Sequence, residues 1–200
     1  MAKLYFRYSA MNSGKSTALL QAAYNYEERG MRVLLIKPAV DSKGDDLIVS
    51  RLGTTRKVDV LLAGDEDVTI RLQPLLEAGP VACVLVDEAQ FLDPRQVDAL
   101  FWFAVDANVP VMAYGLRTDF QTQGFPGASR LLELAHELTE LKTICRCGKK
   151  AVFNGRQRGG VFIFDGGQVA IDGEGAITYE SLCGSCYHKE RTAALSHTKA

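Results

Sequence analysis

Three short stretches of the chain combine residue types that can do chemistry together. The first runs Ser9-Ala10-Met11-Asn12-Ser13-Gly14-Lys15-Ser16. Backbone N–H groups at a helix start, with the positive end of its dipole, favour a polyanion. Lys15 adds a mobile charge for outer phosphates, and the Ser16 hydroxyl can ligate Mg²⁺. Serine is also a common N-cap, so the Gly-Lys-Ser ending alone would be ambiguous. Its position directly after an apolar run, with an acidic element downstream, favours the phosphate reading. Ser9 departs from the usual motif, whose first glycine relieves a tight turn. A residue with a Cβ must manage that turn differently, so the loop is expected to be shaped differently there.

The second stretch, residues 84 to 91, reads VLVDEAQF. A carboxylate at the C-terminal end of a buried strand lies where ligands bind in parallel sheets, so Asp87 is expected in the Mg²⁺ shell. Glu88, one residue on, leaves the strand and is placed to face an acceptor. Adjacent acids also make ordinary surface turns, and the same pair serves ATPases in which the glutamate orients water; the phosphate loop upstream favours a site, and either enzymatic reading needs Glu88. The third feature is two cysteine pairs, Cys145 with Cys147 and Cys183 with Cys186. Four thiolates can close a tetrahedral Zn²⁺ site around a small segment that lacks a core of its own, reduced thiols or a redox pair being the alternative. The second pair has zinc-ribbon spacing and the first is tighter. With all four positions filled, such a site is structural. Cys83 sits inside a strand pattern and reads as core.

These groups need a frame. Apolar runs at 4–8, 32–37, 81–87, 109–115 and 138–144 are short, rich in Val, Leu and Tyr, and bounded by Gly, Pro or Asp, as strands buried on both faces are. Between them, 16–30, 67–79 and 94–107 place apolar residues at three-and-four spacing, although Pro74 interrupts the second. Strand-helix alternation predicts an open, mainly parallel α/β sheet. Beyond about residue 141 the chain turns Gly-rich, with VFIF and QVAI as two short strand candidates, predicting a small β appendage. The expected division is a nucleotide-binding α/β domain over 1–143, a zinc-bearing domain over 144–190 and a tail over 191–200. Residues 41–46, DSKGDD, read as a polar loop.

Composition narrows the function classes. Lys plus Arg number 23 against 24 for Asp plus Glu, a net charge of −1, which gives no general reason to bind nucleic acid or an anionic membrane. The N-terminus is too short and interrupted for a signal segment, and no apolar run approaches the ~20 residues of a membrane span. A cytoplasmic chain is expected. In that reducing setting, five cysteines argue for metal or free thiols before disulfides.

The phosphate loop, DEAQF at 87–91, YGLRTDFQ at 114–121 and the two cysteine pairs, in this order, resemble the type II thymidine kinases, in their bacterial branch. The resemblance runs from about Leu4 to Tyr187, and that branch also tends to carry Ser-Ala-Met-Asn at the loop start. It implies a RecA-like domain with a zinc-bearing lasso, a homotetramer, and transfer of the γ-phosphate of ATP, with Mg²⁺, to the 5′-hydroxyl of deoxythymidine. It also suggests feedback inhibition by dTTP. Glu88 then becomes the base that accepts the 5′-OH proton. A carboxylate is too weak a base to ionise an alcohol outright, so its work is orientation and late proton acceptance. Met11, Phe91 and Phe120 match positions around thymine, with Phe120 offering a stacking face, and Tyr179 matches the lasso tyrosine beside the nucleoside; on the residues alone the first three read as core and Tyr179 as an ordinary strand tyrosine. Lasso backbone at about 164–172, including Gln168, Val169 and Ile171, is implied to pair with the base edge, in a stretch that departs from relatives in length and composition. Asp41 stands where the family has an acidic residue near the phosphates. Lys43 replaces a frequent arginine, and lysine cannot reproduce its bidentate fork.

Two other classes remain open on the residues alone. A motor-type ATPase would show nucleic-acid-stimulated hydrolysis, though the chain is short and neutral for a tandem motor. A zinc-ribbon binding module would use Lys149, Lys150, Arg156 and Arg158, which cluster between the cysteine pairs.

Overall fold

A computed structural model describes residues 1–40, 46–168 and 177–197. The chain divides into two compact units. The first comprises Met1–Tyr8, Gly14–Leu116 and Phe125–Leu141; the second comprises Ser9–Ser13, Arg117–Gly124 and Lys142–Ala200.

The first unit contains, in order, β1 (Leu4–Ser9), α1 (Lys15–Glu27), β2 (Val33–Pro38), β3 (Leu47–Val49), β4 (Thr55–Lys57), β5 (Val60–Leu62), α2 (Val68–Glu77), β6 (Cys83–Val86), α3 (Pro94–Asp106), β7 (Val111–Leu116), α4 (Pro126–Leu134) and β8 (Glu137–Glu140). Six strands form one sheet in the order β5-β2-β6-β7-β1-β8. The pairs β2/β5, β2/β6, β6/β7 and β1/β8 are all parallel. This is the expected α/β architecture. Every residue of β2 and β6 is buried, which is why 33–36 of β2 and the whole of β6 read as unbroken apolar runs instead of alternating. Leu19, Leu20 and Ala23 of α1 pack with Leu35, Leu85 and Tyr114 of the sheet in one buried cluster.

Local chemistry sets the helix starts. Asp67 caps α2 by accepting the Thr69 N–H, and Asp93 with Gln96 forms a reciprocal capping box at α3 behind Pro94. The helix α2 continues through Pro74, which forfeits a bond to the carbonyl of Ile70; that residue is exposed, so water can take the carbonyl. The run at 138–144 divides: β8 ends at Glu140, while Thr143–Ile144 form a separate strand of the second unit. Helix α4 was not anticipated, although Pro126 at its first turn is an ordinary start signal.

In the second unit, β9 (Thr143–Ile144) pairs antiparallel with β10 (Lys150–Ala151), and β11 (Phe153–Arg158) lies between β12 (Val161–Ile163) and β13 (Ile177–Leu182), also antiparallel. Helix α5 (Gly184–His197) follows. Gly159 and Gly160, at φ 56° and 83°, make the two-residue β11–β12 turn, whose paired positive φ values match the sheet twist. Of the two strand candidates, VFIF corresponds to β12, and QVAI lies largely outside the described residues.

Candidate active site and metal centre

In the first unit, Lys15 and Ser16 stand at the start of α1, and Asp87 and Glu88 stand just past the C-terminal end of β6. The helix α1 begins at Gly14, which adopts a left-handed conformation at φ 81°. Unlike α2 and α3, it has no side-chain cap, so its first N–H groups stay available to a ligand. Lys15 is buried at this helix tip. Ser16 Oγ donates to Asp87 Oδ2 at 3.1 Å, joining the helix start to the end of β6.

Asp87 is 3% exposed, and its Oδ1 has no hydrogen-bond partner among the described residues. Burial pushes its pKa up to about 7; the neighbouring Glu88 charge adds to the rise, and Lys15 opposes it. A buried carboxylate held short of full ionisation, one oxygen bonded to a hydroxyl and the other unpartnered, fits a divalent cation, which would favour the anion. Asp119 Oδ2, in the second unit, is likewise buried without a partner, although Oδ1 of that residue accepts the N–H groups of Gln121 and Gln123 and so shapes its loop.

Glu88 occupies a left-handed conformation, φ 47° and ψ 40°, uncommon for a residue with a long side chain. Its carboxylate accepts Gln90 Nε2 at 2.6 Å, and Gln90 Oε1 accepts the Leu116 N–H at 3.0 Å. Gln90 is 1% exposed, so the amide forms a fixed strut from the end of β7 to the glutamate. Gly127 of α4 presses on the same turn: a Cβ there would lie 2.5 Å from the Leu92 carbonyl oxygen and 2.9 Å from that of Ala89. Phe91 meets Phe125 edge-on, ring centroids 5.5 Å apart.

In the second unit, the opening half of the phosphate-loop sequence is held by side chains distant in sequence. Met11 N donates to Asn154 Oδ1 at 2.7 Å, Ser181 Oγ donates to the Met11 carbonyl, and Asn12 Nδ2 donates to the Tyr179 carbonyl at 3.1 Å. Ser9 ends a strand, and its hydroxyl accepts that of Ser13 at 2.6 Å. The left-handed turn falls instead at Asn12, φ 63°, a residue that tolerates it. The extra hydroxyl of the variant loop is thus used within the loop itself, and Ala10 beside it is buried. Phe120 is 1% exposed; Tyr187 Oη donates to its carbonyl at 2.6 Å, and the Arg156 guanidinium lies 3.7 Å from its ring centroid. Tyr179 Oη accepts Arg156 Nε at 3.0 Å, and Gln168 Nε2 donates to the Gly124 carbonyl at 3.3 Å.

The sulfur atoms of Cys145, Cys147, Cys183 and Cys186 all lie within 4.8 Å of one another. Tetrahedral Zn²⁺ at ~2.3 Å from each sulfur requires separations of roughly 3.8 Å, and Cys147 and Cys183 stand 3.6 Å apart. The short first pair is managed by a tight turn in which the Cys145 N–H donates to the Lys149 carbonyl and the Gly148 N–H to the Cys145 carbonyl. The Cys186 N–H draws the Cys183 thiol down to about 6, while hydrogen bonds with the other three sulfurs push Cys186 up to about 12. Four such sulfurs favour a cation that lets all of them ionise. Cys83 is fully buried, and burial pushes its thiol up to about 12, as suits a core residue.

A family model described as thymidine kinase matches residues 2–187. The chain belongs to the thymidine kinase family. It is 52% identical over 185 residues to a thymidine kinase of Ruegeria pomeroyi, an alignment covering 92% of each chain. It is 46% identical over 192 residues to one from Chromobacterium violaceum, covering 95% of this chain and all of that one, and 48% identical over 191 residues to one from Rhizobium meliloti, covering 92% and 94%.

In this kinase, Gly14, Lys15, Ser16, Asp87, Glu88 and Phe91 fall in the first unit, while Ser9, Ala10, Met11, Asn12, Ser13, Phe120, Gln168, Tyr179 and the four cysteines fall in the second. Val169 and Ile171 lie outside the described residues, as do Asp41 and Lys43. Sequence reasoning missed Gln90, although it stands inside the DEAQF motif, and Asn154. It grouped Arg156 with Lys149, Lys150 and Arg158 as a basic cluster that a zinc-ribbon binding module would use; Arg156 is instead 4% exposed and stacked on Phe120. Among the described residues, no helix is long and apolar enough to cross a membrane.

Proposed function

We propose that the chain transfers the γ-phosphate of ATP to the 5′-hydroxyl of deoxythymidine, giving dTMP and ADP in cytoplasmic nucleotide salvage. The observation that carries this reading is the Ser16–Asp87 bond at an uncapped helix start, with the other Asp87 oxygen unpartnered and Glu88 beside it in a strained conformation. Loop amides of 9–16 and Lys15 bind the triphosphate, and Ser16 with Asp87 would hold Mg²⁺. When bound, that ion neutralises charge on the transferring phosphoryl group. Glu88, oriented by Gln90, hydrogen-bonds the acceptor alcohol and takes its proton late in the transfer.

Met11, Phe91, Phe120 and Tyr179 are assigned to the nucleoside, together with backbone from Gln168 through Val169 and Ile171. Zinc in the four-cysteine site is structural. The division into 1–143, 144–190 and a tail from 191, a homotetrameric state and inhibition by dTTP complete the proposal; nucleic acid and membrane are not partners in it. A contact to the thymine 5-methyl group contributes only about 1–3 kcal/mol, so deoxyuridine is a poorer acceptor but still a substrate.

An ADP-release assay across the four deoxynucleosides and deoxyuridine tests the reading. Thymidine is expected first, deoxyuridine next and deoxycytidine well below. Glu88→Gln is expected to keep ATP binding and lose about 10²- to 10⁴-fold in kcat, the span typical of a positioned proton acceptor. Equal turnover of deoxycytidine, or hydrolysis stimulated by nucleic acid and indifferent to nucleosides, would overturn it.

A further inference from the structure

The second unit buries a cation that forms no ion pair among the described residues. Arg156, on β11, is 4% exposed, and β-sheet register sets it opposite Tyr179 on β13 and Ile163 on β12. Its donors go to neutral acceptors: Nε to the Tyr179 hydroxyl at 3.0 Å, one terminal nitrogen to the Gly167 carbonyl at 2.8 Å and the other to the Gln168 carbonyl at 2.9 Å. The guanidinium carbon lies 3.7 Å from the Phe120 ring centroid and 5.5 Å from that of Tyr179. Burying a charge among neutral acceptors is costly, and a core that needed only stability would be better served by an apolar residue. What a guanidinium supplies there is geometry: a rigid plane with fixed donor directions and two faces.

That plane ties together three segments far apart in the chain, namely the loop carrying Phe120, the strand carrying Tyr179, and the backbone at 167–168. A guanidinium donates and never accepts. The Tyr179 hydroxyl is therefore an acceptor toward Arg156, and its own proton is directed elsewhere, in a bond strengthened by the cation behind it. The Tyr187 hydroxyl holds Phe120 from its carbonyl side, so the ring is fixed at both ends.

We propose that Arg156 is a positioning residue of the nucleoside-binding surface: it sets Phe120, Tyr179 and the 167–168 backbone in one arrangement and commits the Tyr179 hydroxyl to donate to an acceptor oxygen of the nucleoside. This rests on the reading of the second unit as nucleoside-binding. Lysine in its place keeps the charge and loses the fork and the stacked plane.

The test is Arg156→Lys in the full chain, purified with its zinc content measured. The expected result is a thymidine KM raised at least about tenfold, equivalent to ~1.4 kcal/mol, with the ATP KM within about twofold of the parent protein and one zinc per chain retained. A purely structural role would lower the active fraction, and hence apparent kcat, without moving the thymidine KM; that outcome overturns the proposal. Where the lysine variant fails to accumulate, Arg156→Gln, which keeps a planar donor group, is assayed to the same criteria. Tyr179→Phe supplies a second arm: the Arg156→Lys effect on thymidine KM should shrink in that background, and strictly multiplicative effects would refute the donor assignment. Failure of the wild-type protein to respond to thymidine at all would instead remove the functional reading beneath the proposal.

Discussion

Adding one methyl group at Gly127 should reach the reacting end of the molecule without touching it. The Cβ of Gly127→Ala would lie 2.5 Å from the Leu92 carbonyl oxygen, 2.9 Å from that of Ala89 and 3.0 Å from that of Gln90. Carbon–oxygen contacts normally settle near 3.3–3.6 Å, so the closest one demands a displacement of about 0.8 Å. The obstructing atoms are backbone carbonyls, which cannot rotate aside as a side chain would. Either α4 retreats or the 89–92 turn moves, and that turn carries Glu88 at its start and Gln90 within it.

Overpacking of this kind costs about 1–3 kcal/mol, and alanine returns about 1 kcal/mol of helix propensity relative to glycine. A net loss of roughly 0–2 kcal/mol lowers Tm by at most about 8 °C at this chain length. Activity should suffer more, because a misplacement near 1 Å costs on the order of 10²-fold. We expect Gly127→Ala to be folded and zinc-loaded at 25 °C with kcat for thymidine reduced roughly 10- to 100-fold. Steady-state ADP release and a thermal melt measure the two effects separately. A variant whose kcat stays within about twofold of the parent would refute the claim that the turn's position governs Glu88.

Two further expectations concern the candidate metal sites. Cys147→Ser, or a strong chelator, should remove the stoichiometric zinc and melt the second unit, because structural thiolate sites in small domains contribute on the order of 10 kcal/mol to folding; a variant that keeps both its zinc and its parent Tm would show that the cluster is not a metal site. Asp87, whose pKa burial raises to about 7, binds its proton more tightly folded than unfolded; that contribution to stability is present below the unfolded carboxylate range and lost as pH rises through about 7. Binding of magnesium nucleotide near pH 6.5 should therefore expel a proton, seen as a calorimetric enthalpy that varies with the ionisation enthalpy of the buffer, and an enthalpy that does not vary would contradict it.

What the sequence displayed and what it hid differ by the range of the cause. The buried runs VLLIK and CVLV announce central strands because burial on both faces is written into consecutive residues, and four cysteines in two close pairs announce a cluster because that is the spacing with which thiolates close a metal site. Arg156 could not be found that way. It shares β11 with Arg158 two positions on, where period-two alternation puts both on one face, yet one is buried and the other exposed. The difference comes from Phe120, Tyr179 and the 167–168 carbonyls, supplied by three other segments.

The same contrast runs through the first unit. Asp67 and Asp93 cap α2 and α3 by rules legible in a few adjacent residues, whereas α1 lacks such a cap at the one helix start that follows a phosphate-loop sequence. Asp87 Oδ1 is buried without a partner, and Glu88 sits in a backbone conformation that glycine or asparagine would hold at lower cost. Each breaks a local rule for stability, and all three fall within one phosphate-loop helix tip and one strand end. Three departures beside one helix tip and one strand end are what a ligand site would leave behind; the buried Asp119 Oδ2 and Thr122 at φ 70° mark a second such place in the 117–124 loop. Relieving the strain at Glu88 with a glycine there should therefore raise stability and lower turnover together.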